Sequence, residues 1–161
     1  TGVTQNQNSG TASIKGLEAK MDIVSSKWHS SFLNFTYQEG IQNEGIKESS
    51  IPNIATVKGN AGFSFYIAKL FTINIIENWV GDRSVAPTNP HGKVKGYFST
   101  NFTLSTNKLF NNRISASISI RNVFNQLYYD PGIRAADGNF YATVNDQPGI
   151  NGLFKISLSL Y

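Results

Sequence analysis

The 161-residue sequence predicts an all-β fold, an antiparallel sheet forming a segment of a transmembrane β-barrel. Three observations predict it. Apolar and polar residues alternate with a period of two, which separates two faces on a strand and would mix them on a helix. The connections alternate between short and long, so the long ones gather at one end. Aromatic residues collect near the predicted strand ends, where a membrane meets water and a ring can be apolar on one side and wet on the other.

The alternation runs the length of the chain. In residues 12–23, Leu17, Ala19, Met21 and Ile23 oppose Glu18, Lys20 and Asp22. Leu33, Phe35 and Tyr37 then oppose Asn34, Thr36 and Gln38. Val57, Ala61, Phe63, Phe65 and Ile67 oppose Lys58, Asn60, Ser64 and Tyr66. Phe71, Ile73 and Ile75 oppose Thr72 and Asn74. Glu77 shares the parity of this apolar set, an acid on the lipid side that a bulge or a place at the outer rim would accommodate. Val94, Gly96, Phe98, Phe102 and Leu104 oppose Lys95, Tyr97, Ser99, Asn101 and Thr103.

The clearest segment sets Ile114, Ala116, Ile118 and Ile120 against Arg113, Ser115, Ser117, Ser119 and Arg121. The last sets Phe154, Ile156, Leu158 and Leu160 against Lys155, Ser157 and Ser159, with Tyr161 sharing the parity of the serines. The result is about seven strands of about ten residues, the length of a tilted membrane-crossing strand. Strands of globular sheets are shorter, about 5–6 residues.

Between these segments, residues 25–26, 68–69 and 106–111 are short connections, and 39–52, 82–92 and 125–149 are long. An outer-membrane barrel has this asymmetry, with short periplasmic turns and long extracellular loops. With Tyr161 at the periplasmic end, all short turns fall on that side. Trp28, Phe71, Phe110 and Tyr161 then mark the periplasmic boundary, and Tyr37, Trp79 and Tyr97 the outer one.

Composition fits. Charged residues are 15% of the chain and aromatics 12%, against about 25% charged in an average soluble domain. Cysteine is absent, which removes disulfides and thiolate chemistry. The longest apolar runs, residues 63–67 and 70–76, fall far short of the ~20 residues of a membrane helix. The net charge of +4 is scattered rather than clustered, which argues against a nucleic-acid partner. Residues 1–10 are polar and lack the apolar centre of a secretion signal, so the chain is expected to be a mature product or a piece of something longer.

Catalysis is not expected. His29 and His91 fall at opposite ends of the strands, and Ser30 and Ser31 are too near His29 in sequence to suggest a nucleophile pair. No phosphate loop, zinc helix motif or calcium loop is present, so neither a cofactor nor a metal is expected. Binding is the better hypothesis. Arg83 and His91 lie in one long loop, and Tyr128, Tyr129, Asp130, Arg134, Asp137, Tyr141 and Asp146 in or beside another. Arginine pairs with anionic ligands and tyrosine stacks on planar ones. Asp130-Pro131-Gly132 and Asp137-Gly138 also read as turns. By parity, Glu18, Lys20, Lys58, Lys95, Arg113 and Arg121 line the lumen as wall residues, beside water or a plug.

Several segments resemble the C-terminal part of a TonB-dependent outer-membrane receptor. Asn8-Ser9-Gly10 before Lys15-Gly16-Leu17-Glu18 resembles the family's strand entry, and Ile51-Pro52-Asn53 leading into Lys58-Gly59-Asn60-Ala61-Gly62 the loop and strand that follow. Asn78-Trp79-Val80-Gly81-Asp82-Arg83 resembles its aromatic-Val-Gly-x-Arg element. The run Ser119-Ile120-Arg121-Asn122-Val123-Phe124-Asn125-Gln126-Leu127-Tyr128-Tyr129 is similar to its penultimate-strand signature and carries most of the weight.

The resemblance implies the C-terminal strands of a barrel of about 22 strands with a plugged lumen. Residues 1–161 would be one portion of that barrel domain, with the plug and earlier strands elsewhere in a longer polypeptide. It further implies import of a scarce ligand, a ferric siderophore first, powered from the inner membrane by the TonB complex through the plug. Outer-membrane lipid would be the other partner. Two alternatives stand beside it, a passive porin-like or structural barrel and a soluble carbohydrate-binding β-sandwich. Because every unsatisfied backbone group in hydrocarbon costs several kcal/mol, two open sheet edges also imply a longer barrel.

Overall fold

A computed structural model describes residues 10–44, 47–87, 89–111, 113–132 and 142–159. The elements in chain order are β1 (Thr11–Ser26), β2 (His29–Glu44), β3 (Lys47–Ser50), β4 (Val57–Ile67), β5 (Phe71–Val80) and β6 (Arg83–Ser84). They continue as β7 (Lys93–Val94), β8 (Tyr97–Leu109), β9 (Ile114–Arg121), β10 (Tyr129–Pro131), β11 (Val144–Asp146) and β12 (Asn151–Leu158). The main sheet runs β1-β2-β4-β5-β8-β9-β12, antiparallel throughout, with β3 folded back on the upper part of β2. No helix among the described residues is long and apolar enough to cross a membrane.

Seven long strands in sequential order answer the alternation read from the sequence. No second sheet stacks on them among the described residues, which overturns the β-sandwich alternative. Cross-strand register gathers most apolar side chains on one face, with Phe32, Ile76 and Leu153 among the exceptions on the other. Leu33 opposes Ala61, Phe63 opposes Ile75, Ile75 opposes Phe102, Leu104 opposes Ile118 and Ile118 opposes Phe154. A slip of one residue at any pairing would turn that strand's apolar set to the other face. Among the described residues nothing covers the apolar face, where Leu17 is 65% and Phe154 61% exposed.

The opposite face is a polar lattice. Lys20, Asn34, Asn60, Asn78 and Ser99 stand in one cross-strand row. Asn34 Nδ2 donates to Asn60 Oδ1 at 2.8 Å, and Asn78 Nδ2 to Ser99 Oγ at 3.5 Å. One lower row, Ser64, Asn74, Thr103 and Ser119, adds Ser64 to Asn74 at 2.7 Å and Thr103 with Ser119 at 3.0 Å. Such cross-strand pairs are the unit of sheet stabilisation. Gly62 is the one wall residue buried among those described, because the Phe32 ring lies across it. A methyl group there would fall 2.1 Å from a ring carbon.

Several boundaries differ from expectation. The first turn lies at Lys27–Trp28 rather than 25–26, because a bulge between Val24 and Ser26 carries β1 two residues further. The 39–52 connection is largely structured, since β2 and β3 continue as a hairpin above the sheet. Short turns at Ala68–Lys69 and Phe110–Asn111 adopt positive φ at both central residues (48° and 56°, 49° and 59°). Paired positive φ values match the twist of two adjoining strands without needing glycine in the sequence. Val94 and Lys95 do not extend β8. Gly96 N–H bonds to the Asp82 carboxylate at 2.8 Å, so the wall begins at Tyr97. Asp130-Pro131 is strand rather than turn, pairing with Asn145 and Val144.

Glu77 needs no bulge. It stands on the apolar face opposite Thr100, whose hydroxyl donates to its carboxylate at 2.7 Å. Trp28, Phe71 and Phe110 sit at the short-turn end as expected. At the other end Phe35, Trp79 and Phe98 form a row of rings on the apolar face, with Trp79 and Phe98 stacked at 5.9 Å. Tyr97 has the expected height but belongs to the polar face. Tyr161 lies outside the described residues.

Candidate functional site

The polar face encloses a concavity of about 1140 Å³ at the long-loop half of the sheet. Its wall comes from Asn34, Thr36, Lys58, Asn60, Asn78, Ser99, Asn101 and Arg121, and its upper rim from Tyr97 and Tyr128. The two tyrosine rings stack, with centroids 4.1 Å apart and planes at 27°. Alternation places Tyr97 inward, because it shares parity with Ser99 and Asn101. Tyr128 arrives from the longest loop. The arrangement offers two cations, amide and hydroxyl groups interrupted by Ile76, Val80 and Leu153, and a flat aromatic edge, chemistry suited to an anionic or planar solute with apolar parts.

Apart from Gly62, the buried residues among those described lie in the long loops above this concavity. Ala55, Arg83, Val85, Asn89, Val94, Asn122 and Pro131 are all enclosed there. Backbone pairing ties the segments together: Ala55 bridges Arg83, β6 pairs β7, and Asn53 N–H donates to the Ser84 carbonyl at 2.8 Å. Asn89 Nδ2 donates to the Thr143 carbonyl at 2.7 Å, joining the third long loop to the second.

Asn122 organises the base of that third loop. With φ 50° it leaves the strand, and its side chain accepts from Gln126 N–H and donates to Gln126 and Pro148 carbonyls. Its own N–H donates to Asn101 Oδ1 at 3.0 Å. Asparagine tolerates this left-handed backbone while bonding locally. Asn125, also at φ 50°, accepts from Ile150 N–H at 2.9 Å and so draws the far end of the loop back to β12.

The sequence-selected residues fall into three groups. Tyr128 lines the concavity. Tyr129 is exposed, Asp130 faces Arg83, and His91 is exposed on the loop surface with its N–H on Asn89 Oδ1 at 3.0 Å. Arg83 is only 6% exposed, enclosed by the Asp130 carboxylate, the Tyr129 carbonyl, Asn53 at 3.4 Å and the Tyr97 ring at 5.6 Å. Arg134, Asp137 and Tyr141 lie outside the described residues. Of the lumen candidates, Glu18, Lys20, Lys58 and Arg121 share the polar face, with Lys20 on Asp22 at 3.0 Å. Lys95 is a correction: it lies in the connection between β7 and β8, outside the wall. Arg113 sits in the last short turn, where its carbonyl accepts from Ser159 N–H.

Sequence reasoning placed Tyr97 at the boundary and missed it as part of the site. Its parity was the available signal. The Asn122 bonding pattern had no such signal, because it depends on a turn four residues long.

Among loop carboxylates, Asp82 is held below the usual carboxylate range, first by its bond with Lys93, at 2.6 Å, and then by Gly96 N–H. The group is exposed, so this fastens the loop surface only weakly.

A single antiparallel sheet with one uncovered apolar face, one polar concave face and long loops at one end is the wall of a membrane β-barrel. The sequence matches the family model described as TonB dependent receptor-like, beta-barrel, over residues 1–123, and the chain belongs to that family. Its place is the bacterial outer membrane. No curated protein matches by sequence.

Among solved structures, the ferric yersiniabactin uptake receptor FyuA from Yersinia pestis superposes with a TM-score of 0.80 at 14% identity, over 96% of this chain and 24% of that one. The ferric-catecholate import receptor Fiu from K12 E. coli, in its closed form, gives 0.75 at 13%, over 92% and 21%. The ferripyoverdine receptor of the outer membrane of Pseudomonas aeruginosa, bound to ferripyoverdine, gives 0.70 at 17%, over 91% and 19%. These likenesses establish the fold, and the chain spans 19% to 24% of the length of these three structures.

Proposed function

We propose that residues 1–161 form the C-terminal part of the barrel of an outer-membrane receptor that imports a scarce ligand, with a ferric siderophore as the first candidate. Energy would come from the inner membrane through the TonB complex, acting on a plug supplied elsewhere in the full-length polypeptide. The observation that carries this reading is the concavity of mixed polar and apolar lining, rimmed by the Tyr97–Tyr128 stack, at the long-loop end of a wall of the receptor family. Lys58 and Arg121 supply positive charge to an anionic ferric chelate, and Tyr128 supplies a face for a planar one. Tyr129, Asp130, His91 and Arg134 are secondary ligand candidates on the loops. Outer-membrane lipid covers the apolar face. The chain acts in transport and not as an enzyme.

The test is uptake of radiolabelled iron by cells carrying the full-length receptor, offered ferric yersiniabactin, a ferric catecholate, ferripyoverdine or ferric citrate. Uptake of at least one chelate, lost when the TonB complex is deleted, is the expected result. Passive influx of small solutes that survives that deletion would favour the porin-like reading instead.

A further inference from the structure

We propose that Arg83 is a positioning residue that fixes the Tyr97–Tyr128 stack, rather than a group that meets the ligand. Its guanidinium lies over the Tyr97 ring, 5.6 Å from the centroid. The same group donates to the carbonyl of Tyr129 and to the carboxylate of Asp130, the two residues that follow Tyr128. One buried side chain therefore touches one ring of the stack directly and holds the backbone next to the other.

The other side of Tyr128 is held too. Asn122 bonds both the N–H and the carbonyl of Gln126, and Gln147 N–H donates to the Tyr128 carbonyl at 3.1 Å. Tyr128 therefore sits between two fixed stretches of backbone, held on one side by charge-assisted bonds, which keep its Cα where the ring meets Tyr97. Arg83 is itself enclosed and its guanidinium is already paired with the Asp130 carboxylate, so the residue does not serve as an open anion receptor. Lysine would not replace it, because one ammonium lacks the planar fork that grips carbonyl and carboxylate together while lying over a ring.

The value of this grip to transport rests on the reading of the concavity as the ligand path, but the grip itself is testable without any ligand. The full-length receptor is refolded in detergent micelles with a fluorinated tyrosine at position 128, and the fluorine resonance is recorded. Tyr97→Leu calibrates the ring-current shift that the stack produces. Arg83→Gln and Asp130→Asn are expected to lose most of that shift. Arg83→Lys, which retains the charge and guards against a variant that fails to fold, is expected to lose most of it as well. An unmoved resonance in correctly folded Arg83→Lys and Asp130→Asn, with Tyr97→Leu shifted, overturns the proposal. A receptor that imports none of the ferric chelates would leave this result standing, and the converse also holds.

Discussion

In the wall, Leu17, Met21, Phe63, Ile118 and Phe154 stand with no protein over them, while at the loop end Ala55, Val85 and Val94 are enclosed among three interlocked segments. The two regions use apolar residues in opposite ways. A soluble sheet of this size would bury its Ile, Leu and Phe and leave the loops wet. Here the long strands spend their apolar residues on an outside solvent, and small valines and an alanine build a core above it. Polar satisfaction follows the same division. The wall bonds side chain to side chain across strands, whereas the cap uses Arg83, Asn89 and Asn122 to satisfy loop backbone.

The largest expected effect breaks the comparison in the wall. Ile75→Arg, at mid-strand on the apolar face, should destabilise the assembled barrel by about 2–4 kcal/mol. Asn74→Arg, one residue away on the polar face, should cost far less. Urea titration of the full-length receptor refolded in lipid vesicles checks both, and equal losses would mean the faces are not distinct solvents.

Next in size is Asn122→Ala. It strips three side-chain bonds from a residue 3% exposed and leaves alanine at φ 50°. A loss of about 1–3 kcal/mol is expected, confined to the cap. Hydrogen exchange should speed up at Gln126 and Ile150 while the strand amides of β9 stay protected. Thr100→Val should cost about 1 kcal/mol by removing the hydroxyl that Glu77 accepts from, and it sharpens the comparison because it puts an acid without its partner on the lipid side. A smaller loss in Thr100→Val/Glu77→Gln than in Thr100→Val checks it.

The smallest effect belongs to Asp82→Asn, under about 1 kcal/mol for an exposed pair. Because its folded carboxyl titrates below the ordinary range, its contribution is fully present from neutrality down to about pH 4 and fades only in stronger acid. The difference between Asp82→Asn and the parent should therefore be flat across that span and vanish below it.

Much of the wall was legible because strand parity is local: Ile114 through Arg121 announces its two faces without knowledge of any neighbour. The first two turns were legible to within two residues, and the miss at Lys27–Trp28 came from a bulge, which adds a residue that alternation cannot count; the third, expected over 106–111, begins only after Leu109. The cap was not legible. Arg83 and Asp130 are 47 positions apart, and only the folded loops show that each neutralises the other. Val94 and Lys95 misled because they keep the rhythm of β8 although a carboxylate, Asp82, stops the strand at Gly96. Tyr128 stood out as a loop aromatic, but its partner Tyr97 was visible only as a strand-end ring.

Spin labels placed singly from position 114 through 121 of the full-length receptor in lipid vesicles, read for collision with dissolved oxygen and with a water-soluble nickel complex, test the account most directly. Oxygen contact should peak at 116, 118 and 120 and nickel contact at 115, 117 and 119, in strict alternation. Low contact with both reagents at 116, 118 and 120 would put those side chains in a dry protein interior and contradict it.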